Sequence, residues 1–150
     1  MFKGLERFFA ADKLTEEQKP DLETAAAVLF LEMASADFEF LDEEKGQIER
    51  TLGSFFNLDI KEIDKLIDEA SKQRKARNDI WYFTNTVRRE LDRSQREKIL
   101  EELWMLIFAD GRVDRFEDML IRKMTDLLGL EHGDMISAKL RAKENLDNQL

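Results

Sequence analysis

The interval that separates Asp37 from Asp110 also separates Ala36 from Ala109, Phe40 from Val113, Glu44 from Glu117 and Ile48 from Ile121. After a shift of a single residue, Phe56-Asn57-Leu58-Asp59 falls on Leu128-Gly129-Leu130-Glu131. In both halves a strongly apolar stretch runs into the acidic pattern and an amphipathic stretch follows it. A repeat of this length means that one unit is used twice, each copy burying a face it cannot bury alone. The chain is therefore expected to pack two related units with pseudo-twofold symmetry.

Those units read as helical. Ala25 to Leu31 and Leu103 to Ala109 are apolar nearly all round, the pattern of helices at the centre of a bundle. The first is expected over Pro20 to Ala36, with Pro20 at the first helical position, where its missing N–H costs nothing. From about Asp42 a helix places Ile48, Leu52, Phe55 and Phe56 on one face. Asp59 and Glu62 form a capping box before Ile63, Leu66, Ile67 and Ala70. Ile80, Phe83, Val87 and Leu91 follow at core spacing, and Ser94 with Glu97 suggests a second capping box. The next amphipathic stretch turns Phe116, Met119, Leu120, Met124, Leu127 and Leu128 inward, and Gly129 stops it. A last helix from about Glu131 offers Ile136 and Leu140 to the core, with a frayed end over Asn145 to Leu150.

No stretch alternates long enough to make a strand, and a single proline and six glycines leave little material for a turn-rich sheet. The expected fold is all-α: a compact bundle of seven to eight helices from two pseudo-symmetric helical repeats, about 20–76 and 93–145. These lie within one domain, 20–150. Residues 1–19 are expected to form an amphipathic helix and a connection, with Phe2, Leu5, Phe8 and Phe9 docking on the bundle rather than dipping into a membrane surface.

The run Ala109-Asp110-Gly111-Arg112-Val113-Asp114-Arg115-Phe116-Glu117 resembles the tellurite-resistance TerB family, as does its counterpart Ala36-Asp37-Phe38-Glu39-Phe40-Leu41-Asp42-Glu43-Glu44. The shared pattern is alanine–aspartate, usually glycine, a hydrophobic residue, and glutamate seven positions after the aspartate. The second copy fits throughout, while the first has Phe38 where glycine is usual. The resemblance spans Pro20 to about Ala142. It implies an all-helical, non-catalytic bacterial module with a stress-response association and a metal-binding role for the paired acids. Similar modules stand beside J-domains in co-chaperones, which implies adaptor work.

Residue chemistry leaves two readings of Asp37, Glu44, Asp110 and Glu117. Clustered carboxylates without His or Cys suit a hard divalent cation (Ca²⁺, Mg²⁺ or Mn²⁺, with Zn²⁺ less favoured), with Glu39, Asp42 and Asp114 nearby. Alternatively the acids only cap helices: Asp114 and Glu117 are spaced as a capping box, and Gly111 suits a left-handed backbone. The two function readings are a metal-responsive module and a metal-independent helical protein–protein adaptor.

Other classes are disfavoured. Nothing resembles a nucleophile–base arrangement or a Gly-rich phosphate cradle, so no enzyme is expected. The net charge of −9 and pI near 4.8 disfavour nucleic acid. From Lys72 to Lys98, Lys72, Arg74, Lys75, Arg77, Arg88, Arg89, Arg93, Arg96 and Lys98 nevertheless make one segment basic and polarise the chain, facing its own acidic turns or a partner. Trp81-Tyr82-Phe83 within it reads as core and rim. His132, the sole histidine, reads as a surface or capping residue. Absent cysteine and the lack of a transmembrane-length apolar run point to the cytoplasm, with other proteins as partners, some at the inner membrane surface.

Overall fold

Alanine has the best helix propensity, and its small side chain lets neighbouring helices approach on every side. The segment around Ala25-Ala26-Ala27 accordingly becomes the centre of the molecule. The structure, a computed structural model, describes residues 20–34, 42–109 and 114–148, and for 42–44 the backbone alone. Its helices are α1 (Leu22–Ala34), α2 (Asp42–Phe56), α3 (Ile60–Ala76), α4 (Ile80–Glu90), α5 (Arg93–Phe108), α6 (Arg115–Leu127) and α7 (His132–Asn148). Together with the absence of strands among the described residues, they bear out the all-α bundle. The N-terminal stretch with Phe2, Leu5, Phe8 and Phe9 lies outside the described residues.

In α1 every residue from Thr24 to Ala34 except Glu32 is buried, and α5 buries Ile99 to Ile107 except Glu102. The two cross at the centre, α1 packing chiefly on α3 and α4, and α5 chiefly on α7. Each large apolar side chain enclosed this way contributes about 1.5–3 kcal/mol. The indole N–H of Trp104, deep in α5, donates to the carbonyl of Met135 at 3.1 Å and so leaves no orphaned donor.

Aspartates cap α1, α3, α4, α5 and α6. Asp21 accepts the N–H of Thr24 at 2.7 Å, so α1 starts at Leu22, and Pro20 precedes the cap instead of occupying the first helical position. Asp59 and Glu62 form the expected box on α3. On α5 the box is Asp92 with Gln95, not Ser94 with Glu97. The helix starts earlier because Leu91 already closes α4, its N–H bonded to the Val87 carbonyl.

The repeat is visible in the backbone. Asn57 (φ 56°) and Gly129 (φ 72°), matched by the sequence alignment, are the positive-φ residues among those described. Each is followed by the same closing bond: Leu58 N–H to Gly53 carbonyl and Leu130 N–H to Thr125 carbonyl, both 3.0 Å. This 6→1 bond ends α2 and α6 alike. Buried positions repeat too, Ile48 with Ile121, Ile63 with Met135 and Ala70 with Ala142.

Two inward faces differ from the sequence expectation. On α6, Phe116 and Met119 are 58% and 61% exposed, whereas Glu117, Ile121, Met124 and Thr125 are buried. On α7, Ile136 and Leu140 point outward, and Met135, Ala138 and Ala142 face α5. Each helix is turned about one residue from its most apolar face. The small Ala138 and Ala142 permit close approach to α5, and the Thr125 hydroxyl satisfies itself on the Ile121 carbonyl at 2.7 Å. Nor does α7 fray at Asn145: it continues to Asn148, held where Asn145 donates to Glu101 at 2.6 Å.

Candidate functional site

The α5–α6 turn is where the second acidic motif falls. Asp114 caps α6, its carboxylate accepting the Glu117 N–H at 2.8 Å, and Glu117 Oε1 returns to accept the Asp114 N–H at 3.2 Å. Both carboxylates sit at the N-terminus of α6, at the positive end of its dipole. Glu117 is 3% exposed. Glu62 performs the same capping job on α3 while exposed, as does Gln95 on α5. Capping alone therefore does not require Glu117 to be buried.

Of the remaining expected ligands, Asp110 and Asp37 lie outside the described residues, as does the side chain of Glu44. Among the described residues no three or more His, Cys, Asp and Glu side chains converge as a metal-holding group. His132 is exposed at the start of α7. Phe83 and Tyr82 are buried and Trp81 is half-exposed, with the Arg77 guanidinium 3.7 Å over the Tyr82 ring centroid. The basic segment turns partly onto acids of the same chain, Arg74 on Glu32 at 2.6 Å and Arg93 on Asp134 at 2.7 Å. Asp134 is held below its usual carboxylate range, first because it accepts the Glu131 N–H and then because of Arg93, against a burial effect that raises it.

A second feature escaped the sequence reading. Between α2, α5 and α7 lies a cleft of about 610 Å³, walled by Gln47, Arg50, Thr51, Lys98, Glu102 and Asn145. Next to it on α5, Glu101 is almost fully buried and accepts from Asn145 at 2.6 Å, Arg141 at 3.2 Å and Lys98 at 3.3 Å. Glu102 takes the Thr51 hydroxyl at 3.0 Å and Lys98 at 3.2 Å. Burial presses the Lys98 ammonium down, but Glu102 and Glu101 outweigh it and hold the lysine above its ordinary value. The only signal in the sequence was Glu101-Glu102 interrupting the apolar stretch from Ile99 to Phe108.

Helix order, the matching helix-closing turns and the buried glutamate at the start of α6 define a two-copy helical bundle. A family model described as tellurite resistance protein TerB matches residues 23–140, and the chain belongs to that family. No curated protein and no solved structure matches it. Among the described residues no helix is long and apolar enough to cross a membrane.

Proposed function

We propose that this chain is a non-catalytic TerB module in which Asp110 and Glu117 bind a hard divalent cation at the α5–α6 turn. Asp37 and Glu44 supply the matching donors at the α1–α2 turn. The observation that carries the reading is the burial of Glu117. A buried carboxylate at the start of a helix is an oxygen donor of the kind a hard divalent cation takes. The donor set contains only oxygen, which suits Ca²⁺, Mg²⁺ or Mn²⁺ better than Zn²⁺. Such an ion would stiffen the bend between a core helix and its successor, a change other proteins can read. The family's description supports a bacterial stress-response setting.

The test is thermal melting of the full chain in EDTA and in millimolar Ca²⁺, Mg²⁺, Mn²⁺ or Zn²⁺. Binding confined to the native state stabilises by about 2.7 kcal/mol at a ligand concentration of ~100 Kd. At least one ion is expected to raise the melting temperature, and Asp110→Asn with Glu117→Gln to abolish the rise. An unchanged melting temperature with every ion refutes the metal reading. It leaves the metal-independent adaptor.

A further inference from the structure

The cleft between α2, α5 and α7 has a counterpart in the other half of the molecule. Matched by the repeat interval, Leu120 and Lys123 of α6 fall on Gln47 and Arg50 of α2, and Val28 and Glu32 of α1 fall on Glu101 and Met105 of α5. Leu120, Lys123, Val28 and Glu32 line a cavity of only about 110 Å³, because α4 lies in that corner and contributes Ile80 and Phe83 to its wall. The helix α4 runs into α5 through Leu91 and Asp92, yet it packs on α1 of the other copy and on α6 of its own. The corresponding corner, of about 610 Å³, is walled by α2, α5 and α7 alone among the described residues.

The same interval sets residues 7–17 of the chain against α4. That helix buries Tyr82, Phe83, Thr84, Thr86 and Val87 and exposes Arg88, Arg89 and Glu90. The buried positions carry to Phe9, Ala10, Ala11, Lys13 and Leu14, and the exposed ones to Thr15, Glu16 and Glu17. Even the half-exposed Trp81 has an aromatic counterpart, Phe8. An inward and an outward side are thus repeated at helical period. The charged inward position, Lys13, answers a change on the facing wall, where Val28 is replaced by Glu101 and Leu29 by Glu102. At the rim, Asp79 and Lys123 line the smaller cavity together, and their counterparts are Glu6 and Arg50. Arg50 is exposed, donates to Gln47 Oε1 at 3.1 Å, and pairs with no carboxylate among the described residues. A guanidinium placed so recognises a carboxylate by paired hydrogen bonds. The connection to α1, residues 18–21, reaches up to about 13 Å.

We propose that residues 7–17 of this same chain form a helix seated in the corner between α2, α5 and α7, with Phe9 and Leu14 inward and Glu6 meeting Arg50 at the rim. Each copy then lends its first helix to the core helix of the other, α4 to α1 and residues 7–17 to α5, so the exchange is reciprocal. The two attachments differ in chemistry. At Val28 the first seat is hydrocarbon, while the second carries Glu101 and Glu102 with Lys98 bridging them. Ion pairs weaken with salt and hydrocarbon contacts do not, which makes the N-terminal segment a strap that releases before α4 as salt is raised. The inference stands whether or not the turn acids hold a metal.

The chain has no cysteine, so a nitroxide on Ser54→Cys, exposed on the cleft wall, labels the full-length protein at one place. It should broaden the amide NMR signals of residues 7–17. The same label on Lys123→Cys, in the counterpart corner, should broaden α4 and leave residues 7–17 sharp. Arg50→Glu sets like charges face to face and should speed hydrogen exchange across residues 7–17 by about two- to fivefold, the scale of an exposed ion pair. Adding Glu6→Arg should restore the slower exchange, and circular dichroism on each variant checks that the bundle stays folded. Salt at about 1 M, where screening acts within about 3 Å, should release residues 7–17 before α4. Signals of residues 7–17 untouched by the Ser54 label would overturn the proposal, as would equal broadening from both labels. So would exchange that ignores Arg50→Glu in a folded protein, or broadening that passes between labelled and unlabelled molecules in a mixture, which would place a second copy's segment in the corner.

Discussion

Replacing Gly129 by alanine isolates what the end of α6 demands. Its φ of 72° is left-handed, which costs an L-residue about 1–2 kcal/mol. The added Cβ would also lie 2.8 Å from Arg88 Nε and 3.0 Å from both Arg88 Cζ and Arg96 Nη1. Both guanidiniums must move, and Arg96 Nη1 is the donor that satisfies the Leu128 carbonyl at the close of the helix. A hydrogen bond from a charged group contributes about 1.5–3 kcal/mol, and flexible arginines recover part of it. The two effects together predict a loss of about 2–4 kcal/mol. Urea unfolding followed by Trp104 fluorescence measures it. With a slope near 2 kcal/mol per molar, the midpoint should fall by about 1–2 M. Asn57→Ala, at the matching left-handed site, should cost only ~1 kcal/mol, the backbone share alone. Gly133→Ala, where a Cβ meets nothing within 4 Å inside α7, should stabilise by up to ~1 kcal/mol. If Gly129→Ala lies within ~0.5 kcal/mol of the parent chain, or costs no more than Asn57→Ala, the reasoning about the arginines fails.

Three further outcomes are expected. Asp59→Ala removes the side-chain acceptor of the Glu62 N–H at an exposed cap, so chemical denaturation should register a loss of about 1 kcal/mol and no change in the spectrum of the folded state. Glu101→Ala leaves Arg141, Asn145 and Lys98 without their shared acceptor. Because two of those partners reach solvent, the cost should be about 1–3 kcal/mol, and raised salt should shrink the difference. Asp134 has a lowered folded-state pKa, so its contribution is complete above the ordinary aspartate range and disappears as the pH falls through the depressed value. Unfolding measured across acidic pH should therefore fall less steeply for Asp134→Asn than for the parent, and parallel curves would contradict the assignment.

Much of this architecture was legible before any coordinates. Hydrophobic periodicity located the two central helices, the Asp59–Glu62 box and the stop at Gly129, because each rests on local rules. The repeat alignment paired Asn57 with Gly129, and both adopt the same backbone. What misled was amphipathicity read as hydrophobicity. On α6 the buried face includes Glu117 and Thr125, which lower its apparent apolar content, and on α7 it is built from alanines. Close packing rewards shape, so Ala138 and Ala142 outrank the larger Ile136 and Leu140 beside α5. At the turns, Asp114 and Glu117 form the box their spacing suggested, but spacing alone does not fix how deeply Glu117 is buried. The cleft was invisible for a related reason: Thr51, Lys98, Glu102 and Asn145 are scattered along the chain, and only the crossing of three helices gathers them.

Because α4 leads into the second copy yet rests on α1 of the first, the seam between the duplicated segments is not a line along which the molecule divides. Severing the backbone near Asn78 should give two polypeptides that are each poorly structured alone and regain helix when mixed. The ancestral unit, on this view, passed from associating with its twin to depending on it.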